Sequence, residues 1–214
     1  MADSMPAATP GGGRELADGR RLCPGHTRSG VVDEKTARSV FAGAVLDIEQ
    51  VFAGTLALRT PLKEVRLVDL DGLKRAASKN GTHSAELKSG RVLGLATITW
   101  VVERGERHMQ PSVVSLLDHV PPERMVAVAV HEYAHVWHAE NNPQYPQTTT
   151  IFREGFAEWV TFKVSQALSR HEQTTLMRNP SGGDYYTGLM KFLELERRRG
   201  VRGVLNYATH ATNI

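Results

Sequence analysis

Val126-Ala127-Val128-Ala129-Val130-His131-Glu132-Tyr133-Ala134-His135-Val136-Trp137-His138 is the stretch around which the chain is organised. It sets the pattern H-E-x-x-H inside an apolar run of helical character. On a helix, residues four apart lie on one face, so His131 and His135 can point at one metal ion. Glu132 then sits beside that ion, placed to take a proton from a bound water. Pro121-Pro122-Glu123 gives a proline and an acid for a first turn, and Asn141-Asn142-Pro143 gives the stop. A solvated helix face can carry two His and a Glu by chance. Here the flanks are Val and Ala, so the histidines fall on or beside a buried face, where polar groups need partners and a metal supplies one.

A hydrolytic zinc site takes three protein ligands and leaves the fourth position to water. After His135 come 18 residues and then Glu154, within Phe152-Arg153-Glu154-Gly155-Phe156-Ala157-Glu158-Trp159. This H-E-x-x-H-x18-E arrangement resembles that of the gluzincins, the clan of thermolysin and aminopeptidase N. The Glu-Gly-Phe-Ala run is similar to the third-ligand helix of the aminopeptidase N family. The resemblance implies Zn²⁺ held by His131, His135 and Glu154, with Glu132 as general base. Glu158, one turn beyond Glu154, could hold the far nitrogen of a ligand His. The competing reading is an amphipathic helix with two solvated acids.

The chain has 214 residues, enough for a domain with a real core. Its net charge is +3, from 26 basic and 23 acidic residues of mixed placement. That balance argues against a nucleic-acid surface, although the pI of 9.1 leaves weak acidic partners open. Arg20-Arg21 and Arg197-Arg198-Arg199 read as solvated faces or helix ends. A single cysteine excludes an internal disulfide framework and fits a reducing compartment, so a cytoplasmic location is expected. No apolar run reaches the length of a membrane span, and the N-terminus lacks the regions of a signal peptide. Nothing in the pattern fixes an oligomeric state.

Residues 1 to about 13, rich in Pro and Gly, read as a disordered leader. Cys23-x2-His26 has the spacing of half a zinc knuckle, read as a remnant or a turn. Asp33 is an expected N-cap for a helix through about Phe52, with an apolar stripe of Phe41, Ala44, Val45, Ile48, Val51 and Phe52. Residues 64–70 read as a strand and 71–77 as a short helix or turn, with Asn80-Gly81 marking a loop. Residues 91–102 and 112–117 read as two strands joined around Arg104-Gly105-Glu106 in an antiparallel hairpin. Pro111 belongs at a strand start or an edge.

A further helix opens at Ser181-Gly182-Gly183-Asp184, with Asp184 as expected N-cap, and stops at Gly200. In aminopeptidase N and its relatives a tyrosine donating to the oxyanion opens such a helix, with Gly three residues on and about four turns on. Tyr185, Gly188 and Gly200 are similar in spacing. An aromatic opening a helix also serves packing, and Tyr186, His171 and His210 are weaker candidates for the donor.

From Asp18-Gly19-Arg20-Arg21-Leu22-Cys23 to about residue 170, the sequence also resembles the C-terminal region of the plant growth-regulating, LIM-domain-containing, ubiquitin-activated peptidases. The shared runs include Leu67-Val68-Asp69, Leu73-Lys74-Arg75-Ala76, Pro122-Glu123-Arg124, His131-Glu132 and Glu154-Gly155. The LIM and ubiquitin-interacting segments are not found in this sequence, and the gap between the metal helices is nearer the aminopeptidase spacing. Together the resemblances imply an α+β gluzincin-like peptidase: a small antiparallel sheet packed on an active-site helix, then a helical C-terminal half. Residues 1–30 are expected as a flexible leader with the zinc-knuckle-like remnant, and 31–214 as a single domain. The strand at 94–99 is expected to pair with an extended peptide or protein substrate. In the aminopeptidases a Glu of the edge strand holds the substrate amine; Thr97 stands at that place, which favours internal cleavage. A zinc-bearing domain that binds partners without hydrolysis, and a zinc hydrolase acting on substrates other than peptides, are the alternatives.

Overall fold

The structure, a computed structural model, describes residues 13–79, 92–179 and 183–214. Its strands are β1 (Arg14–Glu15), β2 (Arg21–Leu22), β3 (Glu64–Val68), β4 (Gly94–Thr97), β5 (Trp100–Glu103), β6 (Glu106–Met109) and β7 (Val113–Leu117). Its helices are α1 (Pro24–Ser29), α2 (Glu34–Val51), α3 (Leu70–Lys79), α4 (Pro122–Asn141), α5 (Thr150–Ala167), α6 (His171–Met177) and α7 (Asp184–Ala208). A 3-10 turn covers Tyr145–Gln147. The class is α+β, with helices predominant and the sheets small. No helix among the described residues is long and apolar enough to cross a membrane. The fold divides into two compact units. One holds Val45–Pro61 and Val130–Ile214, the other the described residues up to Ala44 with Leu62–Ala129.

The unit of the sheets is built on β7. It pairs parallel with β3, Glu64 opposite Val113, and antiparallel with β4, Gly94 opposite Leu116. The main sheet is therefore mixed, where an antiparallel one was expected. The connection explains the difference: the chain leaves β3 through α3 and returns to β7 only after β4, β5 and β6, and so long a crossover permits a parallel return. The expected hairpin also divides. β4 and β7 form its base, and β5 and β6 form a separate two-stranded tip around Arg104-Gly105. Both tip residues have positive φ, 53° and 84°, the backbone of a tight two-residue turn. Between the pairs Thr97↔Val113 and Trp100↔Met109, two residues on one side face three on the other. The longer link, between β6 and β7, contains Pro111, which has no N–H to give a ladder and so stands between the strands.

Residues 14–30, expected as leader, are instead tied into this unit. Asp18 accepts from the Leu70 N–H (3.0 Å) at the start of α3 and from Arg20 Nε (2.9 Å). Arg20 also donates to the Asp118 carbonyl (2.9 Å) and pairs with the Asp118 carboxylate. Burial pushes the Asp18 carboxyl up, but Arg20 and the backbone donors outweigh it and hold the group at about 2. Further on, Val31 and the His119–Val120 segment exchange backbone bonds of 3.0 and 2.7 Å. A Cβ on Gly30 would lie 2.7 Å from His119 Cα, so that approach requires glycine. Cys23 caps α1, its Sγ accepting from His26 N–H (3.5 Å) and lying 3.0 Å from His26 Nδ1. The Cys23-x2-His26 spacing is thus a helical turn. Residues 1–12 and the Asn80-Gly81 loop lie outside the described residues.

The helix bounds expected from sequence largely hold. Asp33 caps α2 through Thr36 N–H (2.9 Å), and Phe41, Ala44, Ile48 and Phe52 are buried. Helix α4 runs between the proline start and the asparagine stop. Helix α6 has no counterpart in the sequence reading. For α7 the N-cap is Gly183, at φ 60°, and Asp184 is the first helical residue. Gly200, at φ 67°, breaks the helix where the stop was expected, and a further helical stretch continues to Ala208.

The second unit has an aromatic core. Trp159 packs between Phe52 (centroids 5.6 Å) and Phe156 (6.1 Å), and Phe192 meets Phe152 and Phe156 at 5.5 and 5.8 Å. Trp159 Nε1 donates to Glu196 (2.8 Å), which Lys163 also reaches (2.8 Å), so the indole of α5 is fastened to α7. The two helices touch through backbone. A Cβ on Gly155 would stand 2.5 Å from Gly188 Cα, and one on Gly188 would stand 2.5 Å from both Gly155 Cα and Ile151 O. Real Cβ atoms do not approach that closely, so the helices must separate if either glycine gains a methyl.

Gly188→Ala is therefore expected to destabilise the protein by about 1–3 kcal/mol through overpacking. Gly43→Ala, in α2, where a Cβ meets nothing within 4 Å, is expected to stabilise it by about 0.4–1 kcal/mol. Urea denaturation of the two variants against the parent checks both signs.

Candidate metal centre

The helical period of α4 places His131 and His135 one turn apart on one face. Their Nε2 atoms lie 3.0 Å from each other. Thr149 caps α5 by accepting from Phe152 N–H (3.3 Å), and this starts the helix so that Glu154 falls at the end of its first turns, facing the two imidazoles. Glu154 Oε2 lies 3.1 Å from His131 Nε2 and 3.4 Å from His135 Nε2. The ligand atoms of all three residues lie within 4.8 Å of one another, the one such group among the described residues.

Burial defines the chemistry. His131, Glu132 and His135 are 8%, 7% and 9% exposed, and Glu158 is 2% exposed. Glu158 Oε1 stands 3.3 Å from His131 Nδ1, so His131 is bracketed by carboxylates at both ring nitrogens. Burial alone would push its pKa down, but Glu154 and Glu158 outweigh burial and raise it to about 10. Burial likewise pushes Glu154 up, and the two histidines more than reverse this, holding its carboxyl far below the ordinary range. His135 Nδ1 has no partner among the described residues, so the carboxylate that fixes a tautomer serves His131 only.

Two imidazole nitrogens and a carboxylate oxygen aimed at one another repel through their lone pairs unless a proton or a cation stands among them. The donor set therefore fits a borderline divalent ion, and Zn²⁺ suits imidazole and carboxylate ligands, as other ions of that class do. Among the candidate residues, His131, His135, Glu154 and Glu158 come together, and Glu132 follows His131 on α4 and is buried. Tyr185 lies beside them, its ring centroid 5.8 Å from that of His131 with the planes tilted by 31°. The Gly155–Gly188 contact explains that position: Tyr185 precedes Gly188 by one turn of α7, and close backbone approach brings that turn to the site. Tyr186 has no ring contact with the histidines among the described residues. His210 is exposed and bonded to Asn206 O (2.8 Å), and the His171 side chain lies outside the described residues.

Three neighbours escape the sequence reading. His138 is fully buried, its ring edge-on to Tyr145 (5.1 Å) and close to Phe152 and Phe156. Burial, with His135 adding to it, drops its pKa to about 3, so it is neutral. Tyr145 is pushed well above its ordinary value by burial, with Arg153 opposing and Glu154 and Glu132 adding to the rise. Arg153 Cζ stands 5.8 Å from the Tyr145 ring. The only sequence signal for these was position: His138 in the motif helix, Arg153 next to a ligand, and Tyr145 in the connection between them.

Glu154→Ala is expected to lower zinc affinity severely, and Glu158→Ala by about 10–100-fold through loss of the partner of His131; calorimetric titration reads both. Protonation gives a second test on metal-free protein. His131 is raised above its ordinary 6.5, so its contribution to stability is full below that pH and disappears as pH climbs through about 10. Glu154 is lowered, so its contribution is full above its ordinary 4.5 and disappears as pH falls below it. Chelator-treated protein should thus melt highest between these limits and lower toward pH 10, and Glu158→Gln should flatten the alkaline fall. Zinc affinity should rise with pH over the same alkaline range, because His131 must lose its proton to bind. No protein-family model, curated protein or solved structure matches the chain, so the geometry of the site carries its functional reading.

Proposed function

We propose that the chain is a gluzincin-like, zinc-dependent peptidase that cleaves within peptide chains. The observation that carries this reading is the meeting of both motif histidines with Glu154, while Glu132 stays buried beside them and Glu158 backs His131. A chance pair of histidines on a helix has no reason to meet a carboxylate from the next long helix. When bound there, zinc would supply Lewis acidity and a water acidic enough to lose its proton near neutrality.

The chain's own groups would do the rest. His131 and His135 give neutral imidazole donors, and Glu158 holds the His131 ring in orientation through Nδ1. Glu132 takes the proton of the attacking water on its carboxylate and delivers it to the departing amine. Tyr185 donates its hydroxyl toward the carbonyl oxygen on which charge collects, and a donor of this kind is worth about 10²–10³ in rate. Strand β4 is the end strand of its sheet among the described residues, and strand addition of an extended chain there would carry little sequence preference. Thr97, within β4, offers no carboxylate to a substrate's terminal amine.

With zinc content and proteomic cleavage as readouts, Glu132→Gln should keep the metal and lose cleavage. Tyr185→Phe should keep metal and fold, lower kcat strongly and change KM little, as expected of a contact made in the transition state. The same change at Tyr186 should do much less. N-acetylated peptides should be cut at least as fast as their free-amine forms. Cleavage that persists in Glu132→Gln would refute the peptidase reading.

A further inference from the structure

Arg153 stands immediately before the ligand Glu154 and is half-buried. Its Nη1 donates to the Thr148 carbonyl (2.7 Å) and lies 3.4 Å from Thr148 Oγ1. Its guanidinium sits by the face of Tyr145, 5.8 Å from the ring centroid. Among the described residues no carboxylate comes within ion-pair distance, and no hydrogen bond uses its Nε or Nη2. A guanidinium presents five donors in a rigid fork shaped for a carboxylate. Here one arm is fastened and the remaining donors are left over. The nearby acids are committed elsewhere: Glu154 to both histidines and Glu158 to His131.

We propose that Arg153 recognises a carboxylate of the substrate, with Thr148 and Tyr145 holding its guanidinium in position. This rests on the reading of the site as a peptidase. The charge of Arg153 reaches the site: it pulls down both Tyr145 and His138, and Tyr145 also feels Glu154 and Glu132. Geometry links them as well: the guanidinium lies by the Tyr145 ring, and that ring meets His138, one turn beyond His135, at 5.1 Å. A peptide can bring a carboxylate either as an Asp or Glu side chain or as its C-terminus, and the fork accepts both. A guanidinium that only anchored the turn before α5 would need its Thr148 bonds alone, and its loss would affect acidic and neutral peptides alike.

The test measures binding, by fluorescence anisotropy, to zinc-loaded Glu132→Gln protein, which removes dependence on turnover. Three probes are used: a blocked glutamine-rich peptide, the same peptide with one Glu walked through it, and the same peptide with a free C-terminal carboxylate. At one Glu position, or for the free C-terminus, binding should be about tenfold tighter than to the blocked neutral peptide. Which arm responds identifies the source of the carboxylate. Adding Arg153→Gln should bring the preference to near unity, and Arg153→Lys should keep part of it, because the charge remains while the fork is lost. Equal binding of all three probes by protein that retains Arg153 overturns the proposal without needing any variant to fold. A preference unchanged in Arg153→Gln also overturns it. Hydrolysis by the protein with Glu132 intact is scored separately, so absence of cleavage counts against the peptidase reading while the binding ratio still decides the role of Arg153.

Discussion

Buried charge around His131 is the constraint from which the rest of the helical unit follows. Glu154 and Glu158 approach its ring from opposite nitrogens, with both carboxylates largely withdrawn from water. An unpaired carboxylate in such surroundings costs several kcal/mol, so the acids are tolerable only with positive charge between them. A protonated imidazole meets that need, and so does a divalent ion on the Nε2 side. The same arrangement that makes the site demanding to fold is one that positive charge relieves.

Holding that arrangement requires rigid neighbours. Helix α4 supplies His131 and His135 at fixed spacing, and α5 supplies Glu154 along with the carboxylate behind His131. The orientation of α5 is set from its other side by contact with α7, where Gly155 meets Gly188 and Trp159 reaches Glu196. Packing at such distances is unforgiving, because a methyl group has nowhere to go. The glycine after Glu154 is therefore a matter of helix approach, and the same approach delivers Tyr185 to the edge of the histidine pair. Local order extends to the neutral His138, whose ring meets Tyr145, Phe152 and Phe156.

Much was legible in the sequence because the signals were local. A helix with proline at its start and Asn-Asn-Pro at its stop determined that His131 and His135 share a face and that Glu132 stands next to them. The caps at Asp33 and the break at Gly200 were legible for the same reason: each depends on the backbone preferences of one residue and its near neighbours. The spacing to Glu154 nominated a third ligand. The parallel pairing of β3 with β7, the division of the expected hairpin into two sheets and the tethering of residues 14–30 by Asp18 and Arg20 rest on partners many residues away. Periodicity within a segment carries no information on such partners. What the sequence by itself determined was which side chains could act and how those on one helix face together. Tertiary structure alone decided that Glu154 and Glu158 straddle His131, that Tyr185 stands beside it and that Arg153 keeps donors to spare, because each depends on how separate helices pack.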